Sequence, residues 1–403
     1  MTKIEYPAYV GEVLSRLASA GEEAYLVGGS LRDALLGLPA HDFDVATSAL
    51  PEKTLSVFSD HRVIETGLKH GTVTVICEGE PVEITTFRHD GDYTDGRHPD
   101  TVSFTDRIAE DLSRRDFTVN AMAYRPDGGL VDPFGGQRDL AARTLRAVRE
   151  PRLRFDEDAL RILRAFRFAA QLGFSIEPAT LSAAADCREG LSRIARERVA
   201  SEFIRLCCSP DAARAIGLMQ QTGVLSYVVG DFAPDAQALS VLADLPATET
   251  ARLGVFFFGA APEKISDILC GLRCSSRQIR GTLAVSRGAA MCVTNEREAT
   301  ALRASVGDFA NEAVRASVLL GISPAGAEAL VASNHVPISV GELALSGRDL
   351  ITLGFTGAEI GKTLSYLLDA VMAEPTYNNR ETLIALCREA RFRDVGEKET
   401  ENE

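Results

Sequence analysis

The first third of the chain alternates apolar and polar positions with a period of two, and the rest repeats them with a period near 3.6. Gly71-Thr-Val-Thr-Val-Ile-Cys77 and Val82-Glu-Ile-Thr-Thr-Phe87 each alternate, and Glu78-Gly79-Glu80-Pro81 separates them, which predicts a β-hairpin. Before it, Tyr25-Leu26-Val27 reads as a short strand that ends at Gly28-Gly29. A helix over Leu31 to Leu36 follows, and Gly37 stops it. From about Phe155 onward strand signals nearly vanish, and helical periodicity takes over in segments such as Asp158 to Leu172 and Glu197 to Cys207. Breaks at Arg149-Glu150-Pro151, Ser209-Pro210 and Pro324 divide that remainder. The pattern predicts an α+β protein with a mixed-sheet head over 1–148, followed by all-helical segments at 149–208, 209–323 and 324–403.

A chain of 403 residues exceeds what one hydrophobic core sustains, which agrees with several sub-structures. With 45% apolar and 25% charged residues its composition is that of an ordinary globular protein. Charges at Lys3, Glu5, Glu12, Arg16, Glu22 and Glu23 interrupt every apolar run near the N-terminus, so no signal peptide is expected. The longest apolar stretch of note, Leu253 to Phe258, is too short to span a membrane, so a cytoplasmic chain with no membrane partner is expected. The eight cysteines form no C-x-x-C pair, and we expect reduced thiols and no structural metal. The net charge of −14 argues against a nucleic-acid partner until its distribution is considered. Between Arg138 and Arg167 nine arginines face five acids, whereas Asp394 to Glu403 is acidic.

The candidate chemistry begins at Asp42-Phe43-Asp44. Two carboxylates two residues apart on a strand leave the same face, with Phe43 and Val45 directed into the core. Such a pair suits Mg2+, which takes one or two carboxylates plus substrate phosphates, and two such ions clamp an in-line displacement at phosphorus. Just upstream, Gly28-Gly29-Ser30-Leu31-Arg32-Asp33 provides a backbone that phosphate can approach, a helix N-terminus that attracts anions, and a nearby cation in Arg32. Gly28-Gly29-x-x-Arg32-Asp33 followed by Asp42-x-Asp44 resembles the head-domain signature of the class II tRNA nucleotidyltransferase and bacterial poly(A) polymerase family, within the DNA polymerase beta superfamily.

Two further blocks extend the resemblance. Arg114-Arg115-Asp116-Phe117-Thr118-Val119-Asn120-Ala121 is similar to the family's R-R-D-F-T-x-N-A block, which implies that Arg115 holds triphosphate while Asp116 and Asn120 contact the ribose. In Glu157-Asp158-Ala159-Leu160-Arg161-Ile162-Leu163-Arg164-Ala165-Phe166-Arg167, helical spacing puts Glu157, Asp158, Arg161, Arg164 and Arg167 on one half of a helix. Asp158 and Arg161, at i and i+3, then present acceptors beside donors. Cytosine and adenine each offer an exocyclic amine beside a ring-nitrogen acceptor, whereas uracil and guanine offer a carbonyl beside an N–H. One Asp–Arg pair therefore accepts C and A, and it leaves buried polar groups unpaired with U and G. The family's base-recognition motif is E-D-x-x-R, and the same match implies that Arg164 and Arg167 serve the triphosphate.

The resemblance implies an enzyme that builds or repairs the CCA end of tRNA from CTP and ATP, with the acceptor arm and 3′ end of tRNA as its macromolecular partner. A-adding, CC-adding and poly(A)-adding members share these motifs, as would a silent RNA-binding relative. Thr66-Gly67-Leu68-Lys69-His70-Gly71-Thr72 and Ile84-Thr85-Thr86-Phe87 resemble the tRNA enzymes. Asp90-Gly-Asp-Tyr-Thr-Asp-Gly-Arg-His-Pro99 resembles the loop linked to the switch from C to A addition, and Leu345 to Lys362 the region that grips tRNA. Glu83, on the neighbouring strand, is a candidate third carboxylate.

Overall fold

The computed structural model describes residues 4–40, 42–90 and 102–388. Contacts divide the chain into two compact units, Met1–Phe232 and Ala233–Glu403.

The first unit opens with α1 (Ala8–Ser19), whose Val10, Val13, Leu14 and Leu17 form one buried stripe. It is followed by β1 (Ala24–Val27), α2 (Gly28–Leu35), β2 (Asp44–Thr47), α3 (Pro51–Val57), β3 (Arg62–Ile64), β4 (Thr72–Cys77) and β5 (Glu80–Thr86). The hairpin expected from the alternation is β4–β5. Glu78 and Gly79 turn it at φ 52 and 88°, the left-handed pair that a two-residue turn requires. After β6 (Arg88–Asp90) and β7 (Val102–Phe104), which pair with each other, come α4 (Ile108–Ser113), β8 (Ala123–Arg125) and β9 (Gly129–Val131). Seven strands form one sheet in the order β3-β4-β5-β2-β1-β8-β9. β2 runs parallel to β5 and antiparallel to β1, so the sheet is mixed, as expected. Tyr25, Val27, Ala46, Phe87, Leu112, Ala121, Ala123 and Val148 pack as its core against α4.

The strand carrying the paired aspartates is shorter than the sequence suggests. β2 begins at Asp44, because its partner β1 ends at Val27, the residue opposite Asp44, where Gly28 turns the chain into α2. Asp42 therefore lies ahead of the strand, exposed and at φ 52°, while Phe43 between the two aspartates is buried as expected.

The helical part of this unit follows α5 (Gly136–Ala141). It comprises α6 (Pro151–Glu157), α7 (Leu160–Leu172), α8 (Pro178–Asp186), α9 (Arg196–Cys207) and α10 (Ala212–Gln221). Thr144–Leu145 and Ser175–Ile176 pair as a short parallel ladder that ties the sheet-bearing part to these helices. α7 packs on α9 and α10 and is stopped by Gly173 at φ 65°. The single helix expected from Asp158 onward is broken. α6 ends at Glu157, Asp158 is extended at φ −144° and ψ 101°, and its carboxylate accepts from the Leu160 N–H at the start of α7. An aspartate competes for backbone amides in this way, which favours a helix boundary over a helix interior.

The second unit is helical. Ala284, Val293, Leu302, Ala313, Val314 and Val331 belong to one core, and Leu345, Leu350, Phe355, Leu367, Val371 and Leu383 to another. The helix Gly347–Thr352 within the second group starts with a capping box formed by Ser346 and Asp349. All eight cysteines are free. Among the described residues no helix is long and apolar enough to cross a membrane. Of the segment Asp90–Pro99 all but Asp90 falls outside the described residues, as does the acidic stretch from Asp394 to Glu403.

Candidate functional site

A cleft of about 730 Å³ in the first unit gathers Gly28, Gly29, Arg32, Asp42, Asp44, Arg115, Asp116, Asn120, Asp158, Arg161, Arg164 and Arg167, while Glu83 is not part of its lining. It lies where the N-terminus of α2, the start of β2, the segment after α4 and the polar sides of α7 and α9 converge.

Gly28 adopts φ 77°, and a methyl at its Cα would meet Asp44 Oδ2 at 3.1 Å and Arg115 Nη1 at 3.5 Å. A side chain is thus excluded both by backbone conformation and by the close approach of a carboxylate. Gly28→Ala is expected to lower the melting temperature, since strain of about 1 kcal/mol or more adds to the tight approach of Asp44. Thermal melting checks it. Burial pushes the Asp44 carboxyl up to about 6, with Arg115 opposing and Glu83 and Asp42 adding to the rise. Glu83 stands directly beside Asp44 in the parallel β2–β5 register. A desolvated carboxylate flanked by two other acids is a donor set that favours a bound cation. Among the described residues no group of three or more His, Cys, Asp or Glu side chains is placed to hold a metal ion, so Asp42 and Asp44 offer a partial carboxylate set.

Seven of the eight arginines lining the cleft are held by carboxylates. Arg32 is buried between Asp33, at 2.7 Å, and the Asn120 side-chain oxygen, at 2.8 Å. Asn120 in turn donates to Asp116 at 3.1 Å, and Arg164 donates to the other Asp116 oxygen at 2.7 Å. Burial alone would raise the Asp116 carboxyl, but the Arg164 charge and the bonds from Asn120 and Arg164 hold it at about 2. Arg167 pairs with Glu202 at 2.5 Å and bonds to Gln171, and Glu202 also lies 3.8 Å from Arg164. Asp111, buried on α4, pairs with both Arg114 and Arg115, and these two overcome the upward push of its burial. Phe168 sits under three guanidinium groups, with Arg32 at 5.2 Å, Arg164 at 5.2 Å and Arg167 at 3.9 Å from its ring centre.

Arg164 and Arg167, expected to serve a triphosphate, thus line the cleft already engaged by Asp116 and Glu202. Arg167 is buried on what helical spacing makes the polar half of α7.

Asp158 and Arg161 line the same cleft. They do not bond to each other through their side chains. Asp158 Oδ2 accepts from Arg198 at 3.0 Å. Arg161 donates to Glu157 at 2.6 Å and to the carbonyl oxygens of Arg154 and Arg114 at 3.1 and 3.0 Å. The helix break separates the pair, and each member is fixed by its own partner.

Sequence reasoning missed Arg198, Glu202, Arg205 and Phe168. The first three fall at i, i+4 and i+7 of α9, a polar stripe on one face that was legible as spacing but carried no chemistry until α7 lay beside it. A larger groove of about 960 Å³ lies in the second unit. Its Thr248 and Thr250 hydroxyls bond to Glu312, and no pair of aspartates faces it.

Residues 24–146 match the family described as "Poly A polymerase head domain", and residues 173–236 that described as "Probable RNA and SrmB- binding site of polymerase A". The chain is 38% identical over 383 residues to the CCA-adding enzyme of Limosilactobacillus fermentum, covering 92% of this chain and 94% of that one. The chain belongs to the CCA-adding enzyme family. A second member, from Leuconostoc citreum, is 34% identical over 94% of each chain. The crystal structure of the Bacillus stearothermophilus CCA-adding enzyme in complex with CTP superimposes with a TM-score of 0.84 at 30% identity, covering 97% of this chain and all of that one. Membership of the CCA-adding enzyme family makes the chain a nucleotidyltransferase, an activity that uses a divalent metal.

Proposed function

We propose that this chain adds and repairs the 3′-terminal CCA of tRNA without a template, taking CMP and AMP from CTP and ATP. The observation that carries the reading is the single cleft. It brings together Asp42 and Asp44, which we read as the metal-holding pair, Asp158 and Arg161, which we read as the base-edge reader, and Gly28, Gly29, Arg32, Arg115, Asp116 and Asn120, which we read as the phosphate and ribose contacts. The CTP complex of the Bacillus stearothermophilus relative supports the nucleotide, and the match of residues 173–236 supports an RNA partner.

In this reading the 3′-hydroxyl oxygen of tRNA attacks the α-phosphorus, a new O–P bond forms, and pyrophosphate leaves with the electron pair of the broken bond. Mg2+ held by Asp42 and Asp44, with Glu83 alongside, would supply Lewis-acid activation of the hydroxyl and neutralise developing charge. The N–H groups of Gly28 and Gly29 at the α2 N-terminus, with Arg32 and Arg115, receive the triphosphate. Asp116 and Asn120 fix the ribose, and Arg164 and Arg167 steady the phosphates from α7. The Asp158 carboxylate accepts from the exocyclic amine of C or A while the Arg161 guanidinium donates to the adjacent ring nitrogen. The head is residues 1–148, the neck 149–208, the body 209–323 and the tail 324–403, with the neck reading the base and the tail binding tRNA.

Purified protein given tRNAs ending at the discriminator base, at C and at CC, with each nucleotide separately, should extend all three in the order C, C, A. Sequencing of the products decides it. Growth only from the CC end, or only to it, would reduce the activity to A or CC addition, and homopolymeric A tails on unrelated RNA would make it a poly(A) polymerase.

A further inference from the structure

We infer that Arg205, on α9, binds the terminal phosphate of the incoming nucleotide and retains it in the departing pyrophosphate. The inference rests on the reading of the cleft as a nucleoside triphosphate site.

The argument starts from charge pairing inside the cleft. Arg32, Arg114 and Arg115 are tied to Asp33 and Asp111, and Arg161 to Glu157. Arg164 and Arg167 share Asp116 and Glu202, and Arg198 holds Asp158. Arg205 also lines the cleft, exposed, and among the described residues its side chain has no carboxylate and no hydrogen-bond partner. It is the one arginine of the lining whose full charge is available to a substrate without breaking an existing pair. Arginine presents a donor fork that matches phosphate oxygens and keeps its charge at any working pH.

Its position identifies which part of a substrate it meets. The contacts between α7 and its neighbours run in order along the helix pair. Arg198 meets Asp158 at the base-reading end, and Glu202 meets Arg164 and Arg167 one turn further on. Arg205 lies seven residues beyond Arg198, a displacement of about 10 Å along the axis at 1.5 Å per residue. Base, sugar and phosphates of one nucleotide laid along this helix pair in that order bring the last phosphate to Arg205. Arg164, which pairs with the proposed ribose contact Asp116, marks the midpoint.

A charge-assisted hydrogen bond at an exposed rim is expected to shift affinity about tenfold. Arg205→Ala should therefore raise KM for both CTP and ATP about tenfold, raise the inhibition constant of pyrophosphate by a similar factor, and leave KM for tRNA and the C-over-U preference unchanged. Arg205→Lys should recover part of the loss. Equal CTP and pyrophosphate affinity in the alanine variant and the parent, both measured by calorimetry, would overturn the inference. A rise confined to KM for tRNA would also overturn it, because it would assign Arg205 to an RNA phosphodiester. Failure of the parent protein itself to bind CTP would instead overturn the reading of the cleft, so the two failures are distinguishable.

Discussion

Asp44→Ala is expected to lower kcat for CTP incorporation by about three orders of magnitude or more while leaving CTP affinity within a fewfold of the parent. In the proposed reading the base, ribose and most phosphate contacts lie on other residues, so ground-state binding should survive the change. The same reading has the Asp44 carboxylate act where charge develops, and removing such a group costs mainly transition-state stabilisation. Single-turnover kinetics at saturating magnesium, with CTP binding measured separately, test both halves. The variant should melt no lower than the parent. Asp44 is desolvated, no described side chain donates a hydrogen bond to it, and Glu83 and Asp42 crowd it with like charge. Persistent activity in magnesium would remove Asp44 from the metal site, and a collapse in melting temperature would make it structural.

Arg161→Ala should have the second largest effect, on selection more than on speed. A site that hydrogen-bonds a base edge rejects the wrong edge because its own buried groups would go unpaired, and such sites reach discriminations of roughly 10⁴ or more. Without the guanidinium, a wrong base no longer confronts a fixed donor. The ratio of kcat/KM for CTP over UTP should then fall by about two orders of magnitude. Arg161→Lys should recover little, because a lysine cannot span Glu157 and two carbonyl oxygens while also addressing the base. Kinetics with all four nucleotides on one tRNA substrate measure the ratio, and an unchanged ratio would place base reading elsewhere.

Much of this site was legible in the chain because the relevant blocks are local. The strand–glycine–helix turn, the β4–β5 hairpin and the clustering of Arg115, Asp116 and Asn120 each depend on a few neighbouring residues, and each folds as its spacing implies. Two expectations changed for tertiary reasons. Asp42 lies off the strand because pairing stops where β1 stops, and that boundary is set by Gly28, fourteen positions upstream in the sequence. Asp158 leaves the helix because its side chain caps α7 and reaches Arg198 on α9, a partner that the local periodicity of α7 does not reveal. The same applies to Glu202. On its own helix it is an acid among arginines, and only the packing of α7 on α9 makes it the counter-charge of Arg167.

The ring of Phe168 has a consequence for how this protein can change over generations. Three guanidinium groups share its face and edge, and their counter-charges come from three different segments: Asp33 on α2, Asp116 after α4 and Glu202 on α9. Because the three cations share one ring, and Arg164 and Arg167 share Glu202, the costs of substitution at Arg32, Arg164 and Arg167 do not simply add. A lineage that alters Arg164 or Arg167 does so against an acid distant in sequence, Asp116 or Glu202, whereas Arg32 answers to its own neighbour, Asp33.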